Sequence, residues 1–282
     1  MRGVFLGSEA VSQGRLTPYQ LRSRFRSIYP DVYLPEYSTP SLRQRSEAAW
    51  LWSGRRGVLA GLAAAALHGS DWIDDDVPIE LIWRNHHPPV GIITRNQLIR
   101  DDEVTCVAGL PVTTLARTAY DLGRLLPRHR AVARLDALVR ASPFVIDDVR
   151  LLIEAHPGAR GLPKLRAALS LTDGGAASPK ETWLRLLLID SGFPCPTTQI
   201  PVHERWRLVA VLDMGWETYK VAVEYDGDHH RTNRRQYAKD HWRMRKVEAI
   251  GWIVIRVIAE DSPGDTVRRV RTALRRRGLL DT

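Results

Sequence analysis

The sequence predicts an α/β (α+β) protein built around two cores. Three observations carry that expectation. Runs with helical spacing and runs with period-two alternation interleave along the chain, which fits neither an all-α nor an all-β fold. From Ser178 to Ile258 the order is helix, strand, strand, helix, strand, an αββαβ unit with a mixed sheet. The chain has 282 residues, 44% of them hydrophobic and 26% charged, enough for two domains. The polar, glycine-containing run from Thr172 to Ala177 reads as the linker. The expected parts are a winged-helix-like segment over 1–40, a middle domain over 41–171 and a third domain over 176–282.

The same composition excludes several classes. The longest apolar run, Val58 to Leu67, is about half the ~20 residues a membrane-spanning helix needs. The first residues, MRGVFLGSEAV, turn polar too soon for a signal peptide. Cys106 and Cys195 are far apart and cannot build a zinc site. A cytoplasmic protein with no membrane partner is therefore expected. The charge sum, 41 − 32 = +9, points to a polyanion such as DNA. An arginine-rich composition without any such partner would give the same sum.

At the N-terminus, Thr17 caps a short helix with Pro18 in its first turn. An extended segment, Asp31 to Pro35, follows. This resembles the second half of a winged helix, and a full helix-turn-helix would need another helix before Gly14. In the middle region helices are expected at 42–53, 58–68, 114–125 and 130–141, and strands at 79–83 and 90–94. His68 reads as a C-terminal cap, and His86 and His87 as a loop before two prolines. Arg117 and Asp121, one turn apart, should form an i,i+4 pair.

The third domain carries the chemistry. Ser178, Pro179 and Glu181 start a helix with a capping box. Arg207 to Met214 and Lys220 to Asp226 alternate as two antiparallel strands. The period of two places Glu224 and Asp226 on one face. With Asp213 from the neighbouring strand, three carboxylates converge, followed directly by His229 and His230. Such a group repels itself unless a cation neutralises it. Oxygen ligands suit Mg²⁺ or Mn²⁺, with Asp213 and Glu224 as the metal ligands. The plainer alternative is salt bridging to nearby arginines. A basic helix from Arg234 to Ile250 follows, with Arg234, Arg235, Lys239 and Arg243 placed to meet a phosphate backbone. The last strand, Trp252 to Ile258, is apolar except for Arg256.

The segments SPKETWLRLLL, VAVLDMGW, KVAVEYDGDHH, KDHWRMRK and GWIVIRV together resemble the PD-(D/E)XK nuclease superfamily, and within it the Vsr-like endonuclease domains. The resemblance covers about residues 176 to 262. It implies a restriction-endonuclease-like fold and a Mg²⁺-dependent DNA endonuclease. The catalytic set would be Glu181, Asp213, Glu224, Asp226 and His230. Glu181 would help hold the ion or its water, Asp213 would bridge the metal and His230 would act as general acid or base. Asp226 stands where the superfamily carries a lysine. The segments LTPYQLRSRF, PDVYLP, GVLAGLAAAALHGS and VTTLARTAYDLGR resemble the AbiEi-type antitoxin and transcriptional regulator proteins of type IV toxin–antitoxin systems. That resemblance implies DNA and a cognate toxin as partners. The alternative to a nuclease is thus a non-catalytic DNA-binding regulator or antitoxin.

Overall fold

A computed structural model describes residues 3–85, 87–227 and 234–279, with the stretch 234–241 given by its backbone alone. His86, His229 and His230 lie outside the described residues, as do the side chains of Arg234, Arg235 and Lys239. The fold is α+β. Its described strands form three sheets, and none closes into a barrel. The chain divides into two compact units, 1–171 and 172–282.

The first unit opens with β1 (Phe5–Leu6), α1 (Gly7–Ser12), α2 (Pro18–Arg24), β2 (Phe25–Tyr29) and β3 (Val32–Pro35). The three strands pair antiparallel in the order β1-β3-β2. Thr17 and Gln20 make a reciprocal capping box at the start of α2. Helix α1 lies ahead of Gly14, where the sequence reading had no helix. It has six residues, begins with glycine and has no side-chain cap, so its local signal is weak.

Next come α3 (Leu42–Trp52), β4 (Val58–Ala60), α4 (Gly61–Leu67), β5 (Ile79–Ile82), β6 (Ile92–Arg95), β7 (Val104–Val107) and β8 (Leu110–Thr113). The five strands lie in the order β6-β5-β4-β8-β7. The helix expected over 58–68 is therefore shorter. Val58 to Ala60 form the central strand, with Leu59 between Leu81 and Val112. An apolar run this short fits a buried strand as well as a helix. Gly61 makes the turn from β4 into α4 at φ 60°, and the Glu80 carboxylate fills the space a Cβ would occupy. Helices α5 (Leu115–Leu125), α6 (Arg128–Ala141), α7 (Ile146–Ala155) and α8 (Leu162–Leu169) complete the unit.

The second unit contains α9 (Pro179–Asp190), β9 (Thr197–Glu204), β10 (Arg207–Trp216), β11 (Val221–Tyr225), α10 (Arg234–Ala249), β12 (Ile253–Val257) and α11 (Pro263–Arg276). Its sheet runs β12-β11-β10-β9. Strands β11 and β12 are parallel and the other pairs antiparallel, so the sheet is mixed. Strand β9 adds an edge to the three strands read from the sequence. Pro201 sits in it, which is tolerated on an edge and masks the strand pattern.

Two cores sandwich this sheet. Leu184 and Leu188 of α9 and Val270 and Leu274 of α11 pack on Met214, Val221, Val223 and Val257. Met244 and Val247 of α10 pack on Leu212, Ala222 and Ile200 from the other side. Each fully buried aliphatic side chain contributes roughly 1.5–3 kcal/mol. Leu212 and Met214 are two residues apart yet belong to opposite cores. Asp213 lies between them, opposite Gln199 of β9, which takes φ 51°, while the register shift of the β9–β10 pair lies between Leu208 and Ala210. Gly215 allows the close approach of β11, since a Cβ there would strike the Val221 carbonyl.

Candidate functional site

Antiparallel pairing of β10 and β11 matches Met214 with Val223 and Gly215 with Ala222. The ladder stops there, and Asp213 and Glu224 are the next residues on the two strands. The Oδ2 of Asp213 accepts the Tyr225 N–H at 2.9 Å in place of a main-chain acceptor. The Asp213 Oδ1 has no hydrogen-bond partner among the described residues.

Electrostatics single out Asp213. Burial pushes its carboxyl up from the usual value of 3.8 to about 6. The Tyr225 N–H pulls against that, the Glu224 charge adds to it, Arg243 opposes it, and Asp226 adds a further push. A carboxyl raised in this way is relieved by a cation. Glu224 is buried, at 8% exposure, and shares the parity of Ala222 on the α10 side of the sheet. Arg243 of α10 approaches it to 3.8 Å. In the parallel pair with β12, Glu224 lies in register with Arg256. Asp226 is exposed at the end of β11, and its N–H donates to the Val257 carbonyl at 2.8 Å.

Glu181 has local work. Its Oε2 accepts the Ala177 N–H at 2.8 Å and its Oε1 the Ser178 hydroxyl at 3.0 Å, while Ser178 accepts the Glu181 N–H at 3.2 Å. This is the capping geometry expected from the sequence, shifted one residue outward at the backbone donor. Next to it, the Lys180 ammonium lies 5.9 Å from the centre of the Tyr225 ring, so the first turn of α9 reaches the end of β11. The sequence reading did not single out Lys180 or the Tyr225 amide. Neither has a local signal: packing of α9 on β11 brings Lys180 to the Tyr225 ring, and pairing of β11 with β10 brings the Tyr225 N–H to Asp213.

Among the described residues no group of three or more His, Cys, Asp or Glu side chains is arranged to hold a metal. The described donors at the site are Asp213 and Glu224, with Asp226 near enough to act by its charge. His230 lies outside the described residues, as do the side chains of Arg234, Arg235 and Lys239.

A second polar cluster lies in the first unit. Arg117, 1% exposed, is bound by Glu103, by Asp121 at 3.0 Å and by Gln97 at 3.1 Å. Arg124 holds the other Asp121 oxygen at 2.7 Å. The ring of His156 meets Glu103 at 2.6 Å. The i,i+4 pair read from the sequence is thus one contact of a buried network. His68 ends α4, and its Nε2 meets the Thr113 carbonyl at 2.8 Å, on β8 rather than on its own last turn. Beside this network a cleft of about 780 Å³ is lined by Glu103, Phe144, Val145, Leu151 and Leu152.

No family model matches the chain, and no solved structure does. Two curated relatives from strains of Mycobacterium tuberculosis, the uncharacterized proteins MT2308 and Rv2248, are each 29% identical to it over 246 residues. Those alignments cover 84% of this chain and 88% of each relative. At 246 residues they are longer than the 171 of the first unit, so the likeness reaches into the second. No helix among the described residues is long and apolar enough to cross a membrane.

Proposed function

We propose that the second unit is a metal-dependent DNA endonuclease. The observation that carries this reading is the half-buried Asp213 next to Glu224 at the end of the β10–β11 ladder, with its carboxyl pushed up to about 6 and no hydrogen-bond partner for its Oδ1 among the described residues. The chemistry of the donors suits Mg²⁺ or Mn²⁺: hard oxygens, few in number, leaving positions for water and phosphate. Asp213 and Glu224 would hold the ion. A divalent ion bound there supplies an activated water and stabilises the charge of phosphodiester hydrolysis.

The chain's own residues do the rest. Arg243, next to Glu224, is placed to meet a phosphate oxygen. Glu181 orders the start of α9, which brings Lys180 to the end of β11. His230 would give a proton to the leaving oxygen. Cleavage of plasmid, nicked, mismatched and single-stranded DNA with Mg²⁺ or Mn²⁺, abolished by chelator, tests the reading. No cleavage of any of these substrates overturns it.

A second reading has its own observation. Val145 and Leu151 are 60% and 62% exposed at the cleft of the first unit, an apolar surface that suits a protein partner such as a toxin. In that reading the acidic site is inert and the chain binds DNA and protein without cleaving. Asp213→Asn would then leave every function unchanged.

A further inference from the structure

The hairpin joining β9 to β10 carries Glu204, Arg205, Trp206 and Arg207 at its tip. Trp206 is 96% exposed, and both flanking arginines are exposed. Arg205 takes the left-handed conformation, φ 55°, that closes this turn. A tryptophan left almost wholly in water contributes nothing to the folded core. Its flat face, between two guanidinium groups, is instead available to a ligand.

A second indole stands close by. Trp242 of α10 is 54% exposed, with the Lys246 ammonium 4.3 Å from its ring centre. The same ammonium bonds Glu204 of the hairpin at 3.0 Å. Lys246 therefore ties the helix to the hairpin and stands between Trp242 and Glu204, which is two residues from Trp206. It also neutralises Glu204, the acid of the tip. Trp206, Arg205 and Arg207 of the hairpin and Trp242 of α10 are all exposed, and the half-exposed Glu204 has its charge met by Lys246.

We propose that the hairpin tip is a stacking platform for an unpaired base of a nucleic-acid strand. Arginines that track phosphates and aromatic rings that stack on bases are the two elements such sites combine. A paired base is buried in its own stack and offers Trp206 no face, so the platform selects strands with an unstacked base. The inference rests on the nucleic-acid part of the proposed function and is independent of its metal chemistry.

The test is binding of the full chain, in chelator, to three fluorescent DNAs: intact duplex, duplex with a central unpaired bubble, and single strand. The wild type should prefer bubble and single strand to duplex. Trp206→Ala should weaken those two by about tenfold, the stacking of one base, and change duplex affinity less than about twofold. Trp206→Phe should recover most of the loss. Far-UV circular dichroism of the variants should match the wild type, because the residue is exposed. Equal loss on all three DNAs would overturn the proposal, as would no preference in the wild type or no DNA binding at all. Because no metal is present, these outcomes are separate from the cleavage assay on Asp213.

Discussion

The two units each bury carboxylates, and they treat them in opposite ways. In the first, Glu103 and Asp121 are 1% and 2% exposed, and guanidinium and imidazole groups close on them from α5, the end of α7 and the β6–β7 connection. Buried charge met by fixed opposite charge is a clamp. It joins α5 to the β6–β7 connection and the end of α7. In the second unit, among the described residues, Asp213 has one backbone N–H at hydrogen-bond distance; the charges of Glu224 and Asp226 press on it and that of Arg243 opposes them, and burial still leaves its carboxyl raised. A raised carboxyl is relieved by a cation or a proton. The same residue types therefore tie structure together in one unit and sit strained in the other. Burial of an acid does not distinguish these cases, whereas the partners do.

The largest test of the contrast is Asp213→Asn. In a working nuclease it should lower cleavage by orders of magnitude, measured on plasmid DNA with saturating Mg²⁺, because the ion loses a bridging ligand. Unchanged cleavage would remove the acidic site from the reaction.

Breaking the clamp should act on stability instead. Arg117→Met leaves Glu103 and Asp121 buried with less compensation and should cost about 3–5 kcal/mol in denaturant unfolding of the first unit. Unfolding that reports on the second unit should stay where it is. A loss under about 1 kcal/mol, the range of exposed pairs such as Arg150–Asp147, would make the network incidental.

Asp213 also makes a pH prediction. Its folded-state value, about 6, lies above the ordinary 3.8, so the folded state binds the proton more tightly. Stability of the second unit should fall as pH rises from about 4 to about 6, then level off. The loss is up to roughly 3 kcal/mol in the absence of metal. Asp213→Asn should be flat across that window and more stable than the wild type above pH 6. Equal pH profiles for the two proteins would mean that the carboxyl is not strained.

The smallest effect expected is on salt dependence. Neutralising Arg234, Arg235 and Lys239 together should flatten the salt slope of DNA binding by about three phosphate contacts. An unchanged slope would move the DNA path off the start of α10.

Much of the second unit was legible because its signals are local. Ser178 and Pro179 announce a helix start, and alternation from Arg207 and from Val221 announces strands. With one short turn between two strands, the placing of Asp213 and Glu224 together at the end of the ladder follows from the pairing register. The first unit hid more. Val58 to Ala60 read as helix because a buried apolar run has no periodicity of its own. Glu103 and His156 looked like ordinary polar residues, since Glu103 meets Arg117 14 residues away and His156 53 residues away.

By itself the sequence determined the α+β class, the caps, the strands that carry the acids and the excess of positive charge. Those properties depend on neighbours within one turn or one hairpin, where chain geometry leaves few alternatives. The tertiary structure alone decided which buried acids are held by guanidinium groups, that burial raises the Asp213 carboxyl, and that Lys246 binds Glu204 and stacks on Trp242. Those outcomes depend on which distant side chains share a volume, and burial, dielectric and ion pairing take their values only after the elements have packed.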